Sequence, residues 1–414
     1  MKKYIGFLIL LAACVNPYDF TPNGIEKLLV VDGFISNDLG ASEIKLSYSN
    51  EFKAKVFDLV RNANVEVIEN SFMIHPFVEK TPGMYVPADT MFKADNQNIY
   101  RLHVEIGDKI YESGDVKIVR AAEIDSVSFK GADKYRAGDK TKYRALDIFV
   151  TTIDDINASK YYRYSAEETW LVVANESVNK LFNPEFIYDN AGEIVDIVWN
   201  EESILTHECW ASSVTKGIIT AATEGLSRNQ LVNIPVFAVS LESPKLLYKY
   251  SVLIKQHSIP KEAFHFLNLM REFSDKSGSL FDIQPGFVDG NITCLSDENE
   301  KVIGIFYATD IEENRIFITY EDLIPSDRMI VAYYDPYCVR ESLDIPGSVD
   351  SSKTVALTFM RDSLIYGKGL VVVDLALKVG VDTVNIAVFT NGICADCRQS
   401  GTNVRPSWWG DIFL

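Results

Sequence analysis

Alternation of apolar and polar residues dominates this chain and predicts a mainly β protein. Leu28 to Ile35 reads as a buried strand, and Ile44, Leu46 and Tyr48 alternate with polar neighbours. Val65 and Val67 mark a short strand, and Gly83-Met-Tyr85 turns into another. Tyr100, Leu102, Val104 and Ile106 alternate with Arg101, His103 and Glu105, before Gly107-Asp108-Lys109 turns the chain into Ile110-Tyr111. Short strands separated by turn signals predict a sandwich over residues 28–120.

A second, larger β-rich domain is predicted over 121–414. Ile124 to Phe129, then Leu146, Ile148 and Val150, read as strands. Tyr162, Tyr164 and Ala166 should face away from Arg163 and Glu167. Trp170 to Val173 continues that strand, and Asn175 to Asn200 reads as a polar-aromatic surface loop or hairpin. Tyr248 to Ile254, Val302 to Tyr307, Arg315 to Tyr320 and Met329 to Tyr334 read as further strands of this second domain. Residues 343–390 mix polar turns with apolar runs such as Leu370-Val-Val-Val-Asp374 and fit either strands or a helix. The first domain is similar in strand order to transthyretin or carboxypeptidase-regulatory sandwiches. The second resembles a fibronectin-like sandwich.

One segment follows a helical period instead. Ala263, Phe264, Phe266, Leu267, Met270 and Phe273 give one apolar face to a helix over 259–276. Ser258 is placed to cap it, Pro260 suits its first turn, and Gly278 offers a stop. The expectation is a helix inserted between strands, packed across a sandwich and orienting a loop from Gln284 to Ile292 in which Gln284 and Asn291 are candidate binding residues. The alternative is a helix that merely plugs one end of the sandwich.

At 414 residues the chain is too long for one ordinary core, so two domains are expected. Its net charge of −18, without a basic cluster, speaks against nucleic acid as a partner. Lys2 and Lys3, a short apolar run from Ile5 to Ala13, and Leu11-Ala12-Ala13-Cys14 match a lipoprotein signal peptide. The expected outcome is cleavage after residue 13 and acylation of Cys14. Residues 14–27, with Pro17 and Pro22, would form an extended tether to a lipid bilayer. No Asp directly follows Cys14, which favours the outer membrane.

Cys209, Cys294, Cys338, Cys394 and Cys397 remain. Cys394 and Cys397 have C-x-x-C spacing, but neither a second such pair nor an H-x-x-x-H completes a zinc site, and an irregular tail follows them. In an oxidising compartment a disulfide from this pair to Cys338 or Cys209 is expected to tie down the tail.

The sequence contains no G-x-S-x-G, H-E-x-x-H, phosphate-loop or dinucleotide fingerprint, so no catalytic, metal or cofactor residue is assigned. Asp154-Asp155, Asp297-Glu298 with Glu300, and Glu312-Glu313 read as solvated turns. Of the five tryptophans, Trp170 and Trp210 read as core, whereas Trp408-Trp409 in a polar tail should dock on the body or on a partner.

The lipobox Cys, the Val31-Asp-Gly-Phe-Ile35 strand, Ala263-Phe-His-Phe266, Gly290-Asn-Ile292, Gly304, Arg315-Ile-Phe-Ile318, and the Cys394-x-x-Cys397-Arg398…Gly401-Thr402…Pro406 tail with its Trp occur in order. Together they resemble a domain-of-unknown-function family of Bacteroidota lipoproteins. That resemblance covers nearly the whole mature chain and has no catalytic residue assigned. It implies an outer-membrane accessory of a TonB-dependent receptor that captures or passes a small-molecule, glycan or peptide cargo. The competing expectations are a hydrolase of envelope polysaccharide with two facing carboxylates, and an adhesion or scaffold lipoprotein.

Overall fold

A computed structural model describes residues 27–49, 58–136, 140–174, 180–203, 207–215, 217–276, 290–333, 338, 340–347, 351–378 and 384–410. Cys14, Gly278 and Gln284 lie outside the described residues. The protein is mainly β, and four sheets occur among the described residues.

The first sheet has ten strands. Leu29–Ser36 pairs antiparallel with Glu43–Tyr48 and parallel with Val302–Thr309, with Leu29 opposite Val302 and Ser36 opposite Thr309. Val302–Thr309 therefore belongs to the first sheet and not to the second unit, where its position in the chain had suggested it. Val31, Leu46, Val67, Leu102, Val104, Tyr111 and Phe306 are buried in one core. The alternation read from the sequence is thus the alternation between that core and solvent.

Asn291 closes this sheet on itself. Ile292–Cys294 lies at one end of the strand order and Val302–Thr309 at the other. The Asn291 amide donates to the Phe306 carbonyl at 2.6 Å, and its Oδ1 accepts from the Phe306 N–H at 2.8 Å. Its backbone N–H donates to the Gly304 carbonyl at 3.2 Å. A Cβ on Gly290 would fall 1.4 Å from the Gly304 oxygen, so only glycine allows this approach. Asn291, a candidate binding residue from the sequence, has its side-chain amide engaged by the fold.

In the second unit a three-stranded sheet of Ile124–Tyr135, Lys142–Thr152 and Ile234–Ser240 faces a five-stranded one. The latter runs Glu208–Val214, Tyr161–Val173, Lys249–Ser258, Ile311–Thr319, with Ile219–Ala222 on the side of Tyr161–Tyr164. Ile148, Val150, Tyr162, Tyr164, Ala166, Val252, Ile254 and Ile318 share the core between them. Pro325–Tyr333 is a helix, so the strand expected at Met329 to Tyr334 is not formed. Pro325 begins that helix, and buried Asp327 in its first turn accepts from Arg144 at 2.7 Å.

A fifth of the strands make a third core that the sequence did not resolve. The Asn175 to Asn200 excursion contains the hairpin Lys180–Tyr188 and Ile194–Ser203, which joins Leu370–Lys378, Val384–Asn391 and Glu341–Pro346 in one sheet. Ser351–Phe359 is an α-helix that continues as a wide π turn through Met360–Gly367, and Leu357, Met360 and Leu364 pack on Val372 and Phe389. Residues 343–390 are therefore strand and helix both.

The helix predicted at 259–276 spans Lys261–Lys276. Its buried Ala263, Phe266 and Leu267 pack with Phe34, Ile305 and Tyr307 of the first sheet, and Phe264 meets Tyr161 of the five-stranded sheet. It bridges two units instead of crossing one sandwich. Ser258 is not its cap. That hydroxyl donates to the Val119 carbonyl and accepts from the Asp310 N–H at 3.0 Å, and the first helical bond runs from Phe264 N–H to the Pro260 carbonyl at 3.0 Å.

Candidate functional site

The five-stranded sheet packs one face into the core, and its other face is buried at Ser251 and His257 and half-exposed around Lys255, Glu167 and Glu313. Because side chains alternate along a strand, burying Tyr162, Tyr164 and Ala166 sends Arg163, Ser165, Glu167 and Thr169 to the opposite face. Register sets Ser165 opposite Lys255 and Thr169 opposite Ser251, then Lys255 opposite Glu313 and Leu253 opposite Arg315. The outcome is a strip of half-buried charges and hydroxyls with the helix at one end and the C-terminal tail at the other.

At the helix end, Arg163 donates to the Tyr307 hydroxyl at 2.8 Å and approaches Asp32 at 3.7 Å. The Tyr307 oxygen and Asp32 raise the guanidinium above its ordinary value, against the opposing effect of burial. His257 is buried, with Nε2 3.2 Å from the Ser165 hydroxyl, and it meets the ring of Phe34 edge-on at 5.4 Å. Its Nδ1 has no partner among the described residues. Burial, and then the Arg163 and Lys255 cations, push the imidazole down to about 3, so it is neutral at physiological pH.

In the middle, Lys255 bridges two carboxylates, Glu167 at 2.7 Å and Glu313 at 3.1 Å. Burial opposes its charge, but the two carboxylates outweigh that and hold the ammonium above the ordinary lysine range. Glu312 and Glu313 therefore sit in the strand Ile311–Thr319, Glu313 in an ion pair, and not in the solvated turn expected of the two. Asp297 does sit in a turn, where its carboxylate accepts from the Asn299 N–H at 2.9 Å, whereas Glu300 is largely buried, accepts from the Tyr111 hydroxyl at 2.5 Å and pairs with Lys109, so it is not a solvated turn carboxylate.

At the tail end the guanidinium carbon of Arg315 lies 3.5 Å from the ring centre of Trp408, and Nη1 donates to the Ser251 hydroxyl at 3.1 Å. Trp409 is fully buried, edge-on to Phe317 at 5.7 Å and to Trp210 at 6.4 Å. Lys249 donates to the Trp409 carbonyl at 3.0 Å. Trp409 thus docks on the body, while Trp408 stays 41% exposed at the rim. The tail is held by more than aromatics. Thr402 and Trp210 exchange backbone hydrogen bonds of 2.8 and 3.0 Å. Cys397 is bonded to Cys209 and Cys394 to Cys338, so each half of the C-x-x-C pair is joined to a different distant segment. Cys294 is a buried free thiol.

A family described as a domain of unknown function (DUF4249) matches residues 15–315. The chain belongs to the DUF4249 family. No curated protein matches it. The DUF4249 region takes in the closed first sheet, the bridging helix and the Arg163, Lys255 and Arg315 positions, and it ends inside the strand Ile311–Thr319. Trp408, Trp409 and the strands Leu370–Lys378 and Val384–Asn391 lie beyond it.

Sequence reasoning found the tryptophans of this face and missed its charges. A usable signal existed. Along Ile311–Thr319 the positions opposite the core hold Glu313, Arg315 and Phe317, and an aromatic residue in line with two charges departs from an ordinary solvated face.

Proposed function

We propose that this DUF4249 protein is a lipoprotein, anchored to the outer membrane through acylated Cys14, that acts as a binding accessory of a TonB-dependent receptor. The observation that carries the reading is a Leu-Ala-Ala-Cys lipobox ahead of a β-rich body whose five-stranded sheet leaves one charged face half-exposed. Residues 14–27 serve as the tether, several acyl chains carried by one cysteine make a durable anchor, and the half-exposed charged face takes up cargo. We read the closed first sheet as a transthyretin-like module and the two facing sheets as a fibronectin-like one, both acting as scaffold. The hydrolase alternative calls for two carboxylates facing across a cleft. The pair on this face, Glu167 and Glu313, is bridged by the Lys255 ammonium, which favours binding over hydrolysis.

The test is expression of the wild-type chain and Cys14→Ser in a Bacteroidota host, followed by fractionation and detergent extraction. The wild type should incorporate labelled palmitate, sediment with the outer membrane and co-purify with a plugged-barrel receptor; Cys14→Ser should be soluble. A Cys14→Ser chain that still sediments removes the anchor, and a wild-type chain that elutes without any barrel removes the accessory role.

A further inference from the structure

We propose that Arg315 anchors a carboxylate-binding site on the half-exposed face of the five-stranded sheet, so that the cargo is a ligand with a free carboxylate group. This rests on the reading of that face as the binding surface and not on the lipid anchor. A guanidinium has five N–H donors in a planar fork. Among the described residues Arg315 spends one of them, on the Ser251 hydroxyl at 3.1 Å, and no carboxylate lies within ion-pair distance. The carboxylates that share its face, Glu167 and Glu313, are held by Lys255. Arg315 has thus given up part of its hydration without gaining an anion in return. Burial depresses its guanidinium below the ordinary arginine range, only partly offset by those two more distant carboxylates. A half-buried cation in that condition is costly unless something completes it.

Two features make the site receptive. The contact with Trp408, 3.5 Å from guanidinium carbon to ring centre, fixes the plane of the fork, so little freedom is lost when a planar carboxylate pairs with it. The Ser251 side chain beneath it is fully buried and holds one end of the fork in place. The same geometry narrows the ligand class. Arg315 covers one side of Trp408, and Trp409 and Phe317 crowd the indole at 5.7 and 6.3 Å, so stacking of a neutral sugar ring on Trp408 is disfavoured. One cation without an anionic partner among the described residues matches a single negative charge better than a doubly charged phosphate. In a chain of net charge −18, an anion finds little other reason to settle.

A free carboxylate can come from an acidic sugar or from a peptide C-terminus, and the experiment separates them. The purified full chain is titrated with trigalacturonic acid and with an N-acetylated tripeptide bearing a free C-terminus; galactotriose and the N-acetylated, C-amidated tripeptide are the neutral controls. Calorimetry and tryptophan emission report binding. The expected result is saturable binding of at least one acidic probe, weakened by salt, with neither neutral control binding; the probe that binds names the source. Arg315→Gln should weaken it at least 10-fold, Arg315→Lys several-fold, since an ammonium keeps the charge without the fork. Glu313→Gln, which removes one of the two carboxylates on Lys255 and a negative charge from this face, should tighten it a few-fold. The proposal is overturned if neither acidic probe saturates by about 10 mM, if the neutral controls bind as well, or if a folded Arg315→Gln or Arg315→Lys chain binds like the wild type. Failure here leaves the anchor and the receptor association untouched, because those are read from fractionation.

Discussion

The side chain of Asn291 pairs with the backbone of Phe306 as one strand pairs with the next, giving a donor at 2.6 Å and taking one at 2.8 Å. Asn291→Ala strands the N–H and C=O of Phe306 at the seam of the first sheet. Each unsatisfied group costs about 1–3 kcal/mol, so a loss of about 2–6 kcal/mol is expected in urea unfolding. Gly290→Ala should be worse, because its Cβ has no room beside Gly304. A change under about 0.5 kcal/mol for Asn291→Ala, within the ordinary range for surface substitutions, would mean the seam is held by something else.

The two neighbouring tryptophans should respond differently. Trp409 is fully buried against Leu171 and Trp210, so Trp409→Ala opens a cavity worth about 3–5 kcal/mol. Trp408 is 41% exposed, and Trp408→Ala should cost about 1 kcal/mol. Equal melting temperatures for the two variants would contradict the docked tail.

The cysteines make a prediction that needs no mutant. Peptide mapping without reductant should recover Cys209 with Cys397 and Cys338 with Cys394, and Cys294 should react with a thiol reagent only after denaturation. Recovery of a Cys394–Cys397 bond would contradict this pairing. Removing the Cys209–Cys397 bond, which joins residues 188 apart, should cost about 5 kcal/mol on the chain-entropy view.

His257 sets a pH dependence. Its imidazole is held down to about 3 in the folded chain, against about 6.5 when unfolded. The unfolded state therefore binds the extra proton, and the stability this neutral residue contributes is complete above pH about 6.5 and declines as pH falls toward 3. The slope approaches about 1.4 kcal/mol per pH unit. His103, raised above its ordinary value by Glu112 and Glu105 despite burial, works in the opposite direction. Comparing wild type with His257→Gln in chemical unfolding at pH 7, 6 and 5 isolates the term: the variant should lose less stability on acidification. Parallel profiles would show that His257 takes up a proton without unfolding.

Much of this architecture was legible where one periodicity ran uninterrupted. The strands at Leu29, Tyr100 and Tyr162 and the helix at Lys261 follow from alternation and from a 3.6-residue period, both local properties. What could not be read was partnership. Val302–Thr309 has the pattern of any buried strand, and nothing within it says that Leu29–Ser36 is its neighbour. The third core was missed because Ser351–Gly367 mixes α and π turns, which blurs the helical period, and because its hairpin lies far away at Lys180–Ser203. The charged face was hidden for a related reason: Lys255, Glu167 and Glu313 come from three strands, and only register brings them together.

The parallel pairing of Leu29–Ser36 with Val302–Thr309 governs the order in which the molecule can be completed. A chain that emerges from its N-terminus displays a bare strand edge until residue 309 has been delivered, although eight strands of that sheet precede Ile124. Long-range pairings of this kind form slowly and invite mispairing while they wait. Nascent DUF4249 chains should thus depend on a chaperone over that interval, and truncation anywhere before Val302 should yield an aggregating product even though most of the first sheet has already been made.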